Sequence, residues 1–209
     1  RVILRDINLS IRRGELVSVV GRYGSGKTSL VNAVLGEMRE GGGSAVRLGG
    51  SLAYVSQKPW IVSDTLRNNV LFGAPFDPDR YAAALHFASL HFASLKADLD
   101  SLSRGDATLI GERGCTLSGG QRARVSLARA LYSGADVLLL DDILSAVDAH
   151  VAAFLFFETL KKHLRGRTVL LITHALHFVQ HTDRILLMDA LTLAAQGTFE
   201  QLKHHPFSN

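Results

Sequence analysis

Gly21-Arg22-Tyr23-Gly24-Ser25-Gly26-Lys27-Thr28, preceded by the valine-rich run Leu16–Val20, decides the fold of this chain. The run reads as a buried strand ending at Gly21, and Lys27 to Leu35 reads as a helix. Strand, glycine loop and helix together fit G-x-x-x-x-G-K-[ST] in the context that pattern requires. The glycines let the backbone curl so that its N–H groups point inward at phosphate oxygens. The helix N-terminus adds its partial positive charge. Lys27 is expected to reach the β- and γ-phosphates and the Thr28 hydroxyl to ligate Mg²⁺. Gly21, Arg22, Tyr23, Gly24, Ser25, Gly26, Lys27, Thr28 and Ser29 are therefore the expected contacts to ATP. A plain tight turn would need neither the lysine nor the hydroxyl.

Outward from this loop, apolar runs alternate with helical patterns. Ala53–Val55, Val137–Leu140, Val169–Thr173 and Arg184–Met188 read as further strands. Continuous apolar runs separated by helices predict an α/β fold with a mainly parallel sheet covered on both faces. The strand Val137–Leu140 ends in Asp141-Asp142, at the carboxyl end where open α/β sheets bind ligands. Asp141 is expected to hold Mg²⁺, and Asp142 to face the γ-phosphate and its attacking water. Two acids capping a strand–helix turn would be the plainer reading of that pair standing alone.

Between Lys58 and Ala135 the sequence is richer in Ala, Leu and Ser and carries few strand signals. It reads as an α-helical subdomain, residues 58–134, inserted into a P-loop NTPase core of residues 1–57 and 135–209. Gly41-Gly42-Gly43-Ser44 reads as a local loop. Inside the insert, His86-Phe87-Ala88-Ser89-Leu90 repeats at once as His91-Phe92-Ala93-Ser94-Leu95. On a helix, five residues advance about 500°, so the copies would face about 140° apart. No cysteine or acidic cluster accompanies the paired histidines, so the repeat reads as a tolerated local duplication or a sequence artefact and not a metal site.

The chain has 209 residues, 47% hydrophobic and 20% charged, as in a folded domain. Its net charge of +4 is scattered, which argues against nucleic acid as a partner. The single cysteine, Cys115, excludes an internal disulfide. No apolar run approaches the length of a membrane span. The chain opens on Arg1 straight into a strand-like pattern, and is read as a piece of a longer protein.

Leu117-Ser118-Gly119-Gly120-Gln121, followed by the helical stretch Arg122–Leu131, adds a second glycine-rich turn. Ser118 is suited to cap the helix and the glycines to bare its N–H groups, an anion-binding terminus. Together with the phosphate loop, this resembles the signature motif of ATP-binding cassette proteins. The resemblance spans nearly the whole chain. It implies that Gln57 is the Q-loop glutamine, contacting Mg²⁺ or water and coupling the core to membrane domains. It implies that Ser145-Ala146-Val147-Asp148 is the D-loop, communicating across a dimer through Ser145 and Asp148. It makes His174 the switch histidine that contacts the γ-phosphate.

Tyr54–Ile61, Asp64–Gly73, Ile110–Gly114 and Leu144–His150 are similar to subfamily C, the multidrug-resistance-associated type. The short path from Lys27 to Gln57 resembles the first of its two cassettes. The resemblance then implies a cytosolic domain of an integral membrane exporter, with Mg-ATP as ligand. Its partners would be a second cassette and the transmembrane domains. An ATP-gated channel or channel regulator of the same subfamily is the alternative. A soluble cassette of translation or DNA maintenance is disfavoured by the subfamily C motifs.

Three departures stand out. The family's usual Glu after the metal-binding Asp is Asp142 here, one methylene shorter. A base displaced by 1 Å loses on the order of a hundredfold in rate, so slow hydrolysis is expected at this site. The intact signature is expected to serve the partner's site. The adenine-stacking aromatic of the family falls upstream of the segment matching Arg1, and Ile143 replaces a proline common in the subfamily.

Overall fold

A computed structural model describes residues 4–39, 41, 45–90, 104–111 and 116–204. The second copy of the duplication, Gly42–Ser44, Glu112–Gly114 and Cys115 lie outside the described residues. In chain order the strands are β1 (Leu16–Val20), β2 (Leu52–Val55), β3 (Asp64–Thr65), β4 (Leu109–Ile110), β5 (Val137–Asp141), β6 (Thr168–Ile172), β7 (Arg184–Asp189) and β8 (Thr192–Gly197). The helices are α1 (Lys27–Val34), α2 (Leu66–Leu71), α3 (Pro78–Phe87), α4 (Gly119–Ser133), α5 (Ala149–Phe154), α6 (Leu176–Val179) and α7 (Phe199–Leu202). Beyond α5 the helix continues with wider π-type turns over Leu155–His163.

Six strands form one sheet in the order β2-β5-β6-β1-β7-β8, parallel except for β8, which runs antiparallel to β7. Alternate residues of each central strand serve opposite faces, as the two-residue period of a strand requires. Leu138 and Leu140 of β5, with Val169 and Leu171 of β6, join the core beneath α3, α4 and the α5 helix. Leu139, Leu170 and Ile172 face the other way, onto Leu30 and Val31 of α1. Both faces are covered, so these strands read as unbroken apolar runs and not as alternating ones. No helix among the described residues is long and apolar enough to cross a membrane.

The structure corrects two expectations between β2 and β5. The stretch contains a strand pair, β3 with β4 antiparallel, Asp64 opposite Ile110. Two-residue strands give the sequence no period to show. Nor does α3 run through the first copy of the duplication: it ends at Phe87, and Ser89 sits at φ 57°, the left-handed region that a helix cannot continue through. Ala88 and Leu90 of the first copy are instead fully buried.

Candidate functional site

The site lies at the carboxyl ends of β1, β2, β5 and β6. At Gly21 φ is 152°, and an added Cβ would come within 2.2 Å of the Met188 carbonyl oxygen. Only glycine lets the loop turn this close beneath β7. Gly26 is the N-cap of α1 at φ 105°, with no side-chain cap, which leaves the helix's first N–H groups to another acceptor. Lys27 is buried, and its Nζ donates to the carbonyls of Gly21 at 2.8 Å and Arg22 at 2.9 Å. Burial pulls the Lys27 ammonium below the usual lysine range, opposed by the charges of Asp142 and Asp141. Ser25 is buried with its hydroxyl unpartnered, while Arg22, Tyr23, Gly24 and Thr28 are exposed and Ser29 partly so.

Asp141 and Asp142 are both buried. Burial, then the charge of Asp142, push the Asp141 carboxyl above its usual range, and Lys27 pulls the other way. Tyr54 on β2 is pushed up to about 12, by burial first and then by the Asp141 charge. Asp142 follows β5 with φ 53°. Its carboxylate accepts from Ser145 Oγ at 2.7 Å, Gln57 Nε2 at 3.4 Å and the His174 N–H at 3.4 Å. Gln57, Asp142 with Ser145, and His174, from three separate segments, thus meet at one carboxylate.

Among the described residues no three His, Cys, Asp or Glu are grouped to hold a metal ion. The oxygen donors that sequence reasoning named, Thr28, Gln57 and Asp141, are hard and too few to fill an octahedron. Such a set fits Mg²⁺ bound together with substrate phosphates. The raised Asp141 carboxyl is likewise a group that a divalent cation would relieve.

The second glycine-rich turn is built differently. Ser118 caps α4 through a reciprocal box: its Oγ accepts from the Gln121 N–H at 3.2 Å, and Gln121 Oε1 accepts from the Ser118 N–H at 2.7 Å. Leu117 is buried in the core. Gly120 packs on the segment expected to be the D-loop, where an added Cβ would meet the Ala146 carbonyl oxygen at 2.8 Å, whereas Gly119 faces open space. Asp148 has a local task besides the one expected for it, capping α5 by accepting from the Val151 N–H at 3.0 Å. Ile143, in the usual proline position, is buried.

Sequence reasoning missed a surface that begins at Trp60, three residues after Gln57 in the chain. Trp60 and Phe72 are 51% and 57% exposed, with rings edge-on at 5.3 Å. The Arg129 guanidinium lies 4.1 Å from the Trp60 ring and 4.9 Å from Phe72, and its Nε donates to the Asn69 carbonyl at 2.7 Å. Val62 and Phe76 extend the exposed apolar side chains. The sequence shows the aromatics, but not that packing leaves them outside.

A family profile described as ABC transporter matches residues 4–145. The chain is 49% identical over 204 residues to ATP-binding cassette sub-family C member 3 of Rattus norvegicus, covering 97% of this chain and 13% of that protein. It is 47% identical over 199 residues to the probable multidrug resistance-associated protein lethal(2)03659 of Drosophila melanogaster, covering 95% of this chain and 14% of that one. Against ATP-binding cassette sub-family C member 2 of Homo sapiens it is 44% identical over 201 residues, 95% of this chain and 13% of that protein. The chain thus spans about one-seventh of the length of the curated relatives it matches. With the profile covering well over half of its residues, the chain belongs to the ABC transporter family, as a nucleotide-binding domain of the subfamily C type.

Proposed function

We propose that this domain binds Mg-ATP and couples that binding to transport across a membrane, as the slow first cassette of an exporter. One observation carries the slow-site reading: the carboxylate in the base position is the short one of Asp142, buried and already engaged by Ser145 and Gln57. In this reading Lys27 exchanges the carbonyls of Gly21 and Arg22 for phosphate oxygens, and the free N–H groups of α1 add theirs. Thr28, Asp141 and Gln57 would hold Mg²⁺, which neutralises phosphate charge when bound. His174 lies beside Asp142 and contacts the γ-phosphate.

Residues 58–134 act as the helical arm and 1–57 with 135–209 as the core. The turn Leu117–Gln121 completes the ATP site of a second cassette, as that cassette's signature completes this one. Trp60, three residues after Gln57 in the chain, forms with Phe72 and Arg129 the surface that meets the transmembrane domains of the parent protein. Exposed aromatics gripping an arginine are the composition of an interface core. The domain then sits on the cytosolic side of the membrane.

The test is Asp142→Glu in the full-length protein. Turnover at this cassette is expected to rise on the order of tenfold or more, the scale that correct placement of a base commands. An unchanged rate overturns the slow-site reading.

A further inference from the structure

Of the three donors to Asp142, Ser145 is the nearest, and it belongs to the same turn. The Ser145 N–H donates to the Asp142 carbonyl at 3.3 Å, and the Ser145 hydroxyl to Asp142 Oδ1 at 2.7 Å. The segment Asp142–Ser145 is therefore closed twice, once by backbone and once by side chains. Asp142 enters it at φ 53°, a region that Asp tolerates better than most residues with a side chain. A carboxylate one methylene from its own backbone can meet a hydroxyl three residues on in so tight a turn. A carboxylate one methylene longer extends past it.

We propose that Ser145 is a positioning residue: its hydroxyl ties the Asp142 carboxylate to the D-loop turn and holds it back from the nucleotide. The proposal rests on the slow-site reading and gives it a second cause. The rate is low because the side chain is short and also because it is tethered. A charge-assisted O–H···O⁻ bond is among the stronger side-chain bonds, and the carboxylate must stretch or break it to swing away from the turn toward a water at the nucleotide. The tether also links two loops with different duties. The turn that begins at the base position ends at Ser145, and Ala146, the next residue, backs the signature glycine Gly120. A shift of the D-loop that lengthens the Ser145 bond frees the carboxylate, so the tie makes hydrolysis answer to the position of the D-loop.

The experiment uses the full-length protein with the partner cassette's own site inactivated, and measures single-turnover conversion of bound γ-labelled ATP. Ser145→Ala is expected to raise the rate constant about fivefold to tenfold, the scale of one charge-assisted bond. The ATP concentration for half-saturation should stay the same, which also reports a folded site. Ser145→Gly, likewise without the hydroxyl, gives the same rise, and Ser145→Thr, which restores it, returns the slow rate. In the Asp142→Glu background, Ser145→Ala adds less than about twofold, because the longer carboxylate is no longer held. A rate unchanged or lowered by both Ser145→Ala and Ser145→Gly overturns the tie, as does a full additive gain in the double variant. If Asp142→Glu speeds turnover and the Ser145 variants do not, only the tie falls. If Asp142→Glu is itself without effect, the slow-site reading falls first.

Discussion

Two glycine-rich turns open two helices in this molecule, and they use glycine for opposite reasons. At the phosphate loop, Gly21, Gly24 and Gly26 have φ of 152°, 77° and 105°, and α1 begins with no side-chain cap. At the signature turn, no glycine has a left-handed φ, and α4 carries a full capping box between Ser118 and Gln121. The first turn spends its glycines on backbone shape and leaves donors for a ligand. The second satisfies its own terminus and uses Gly120 to lie against the D-loop. A motif rich in glycine is therefore not one physical statement. One of these turns leaves its first N–H groups without a side-chain cap. The other is finished already, and offers a rigid edge.

Four substitutions sharpen this contrast. The largest effect belongs to Gly21→Ala. Its Cβ would meet backbone at 2.2 Å from the Met188 oxygen, and no side chain can move aside. Destabilisation of about 4 kcal/mol or more is expected, with loss of ATP binding, measured by denaturant unfolding and by fluorescent-nucleotide titration. In the second turn Gly120→Ala has an intermediate cost of about 1–3 kcal/mol, because the D-loop must give way at Ala146. Ser118→Ala removes the cap at about 1 kcal/mol, and Gly119→Ala, facing open space, stays within about 0.5 kcal/mol in the same unfolding assay. If Gly119→Ala proves as costly as Gly120→Ala, the distinction between a packed and an open glycine in the signature turn fails.

The same contrast explains what the sequence could show. The phosphate loop was legible because a strand, a fixed spacing and a lysine coincide within a dozen residues. The buried strands were legible because both sheet faces are covered. β8 was not, since Thr192–Gly197 is only partly buried and carries Ala and Gln where an inner strand would carry Val and Ile. The strand pair β3 and β4 was missed because its halves are two residues each, with 43 residues lying between them in sequence (Thr65 pairs with Leu109 at the nearer end, Asp64 with Ile110 at the other). Gln57, Asp142, Ser145 and His174 could be singled out only through a resemblance and their place after strands. That they share one carboxylate depends on the left-handed φ of Asp142, and on β2 and β6 flanking β5, which no local pattern encodes.

The order of strands has one more consequence, in time. β1 lies between β6 and β7, so the strand that carries the phosphate loop is flanked by segments made some 150 residues after it. At ribosomal speeds of about 5–20 residues per second, the loop waits roughly 8–30 s for its neighbours. Until Met188 has emerged, Gly21 has nothing to close against. The site that gives the chain its earliest and clearest motif is among the last to be assembled, and a nascent chain stalled before β7 carries the motif without the site.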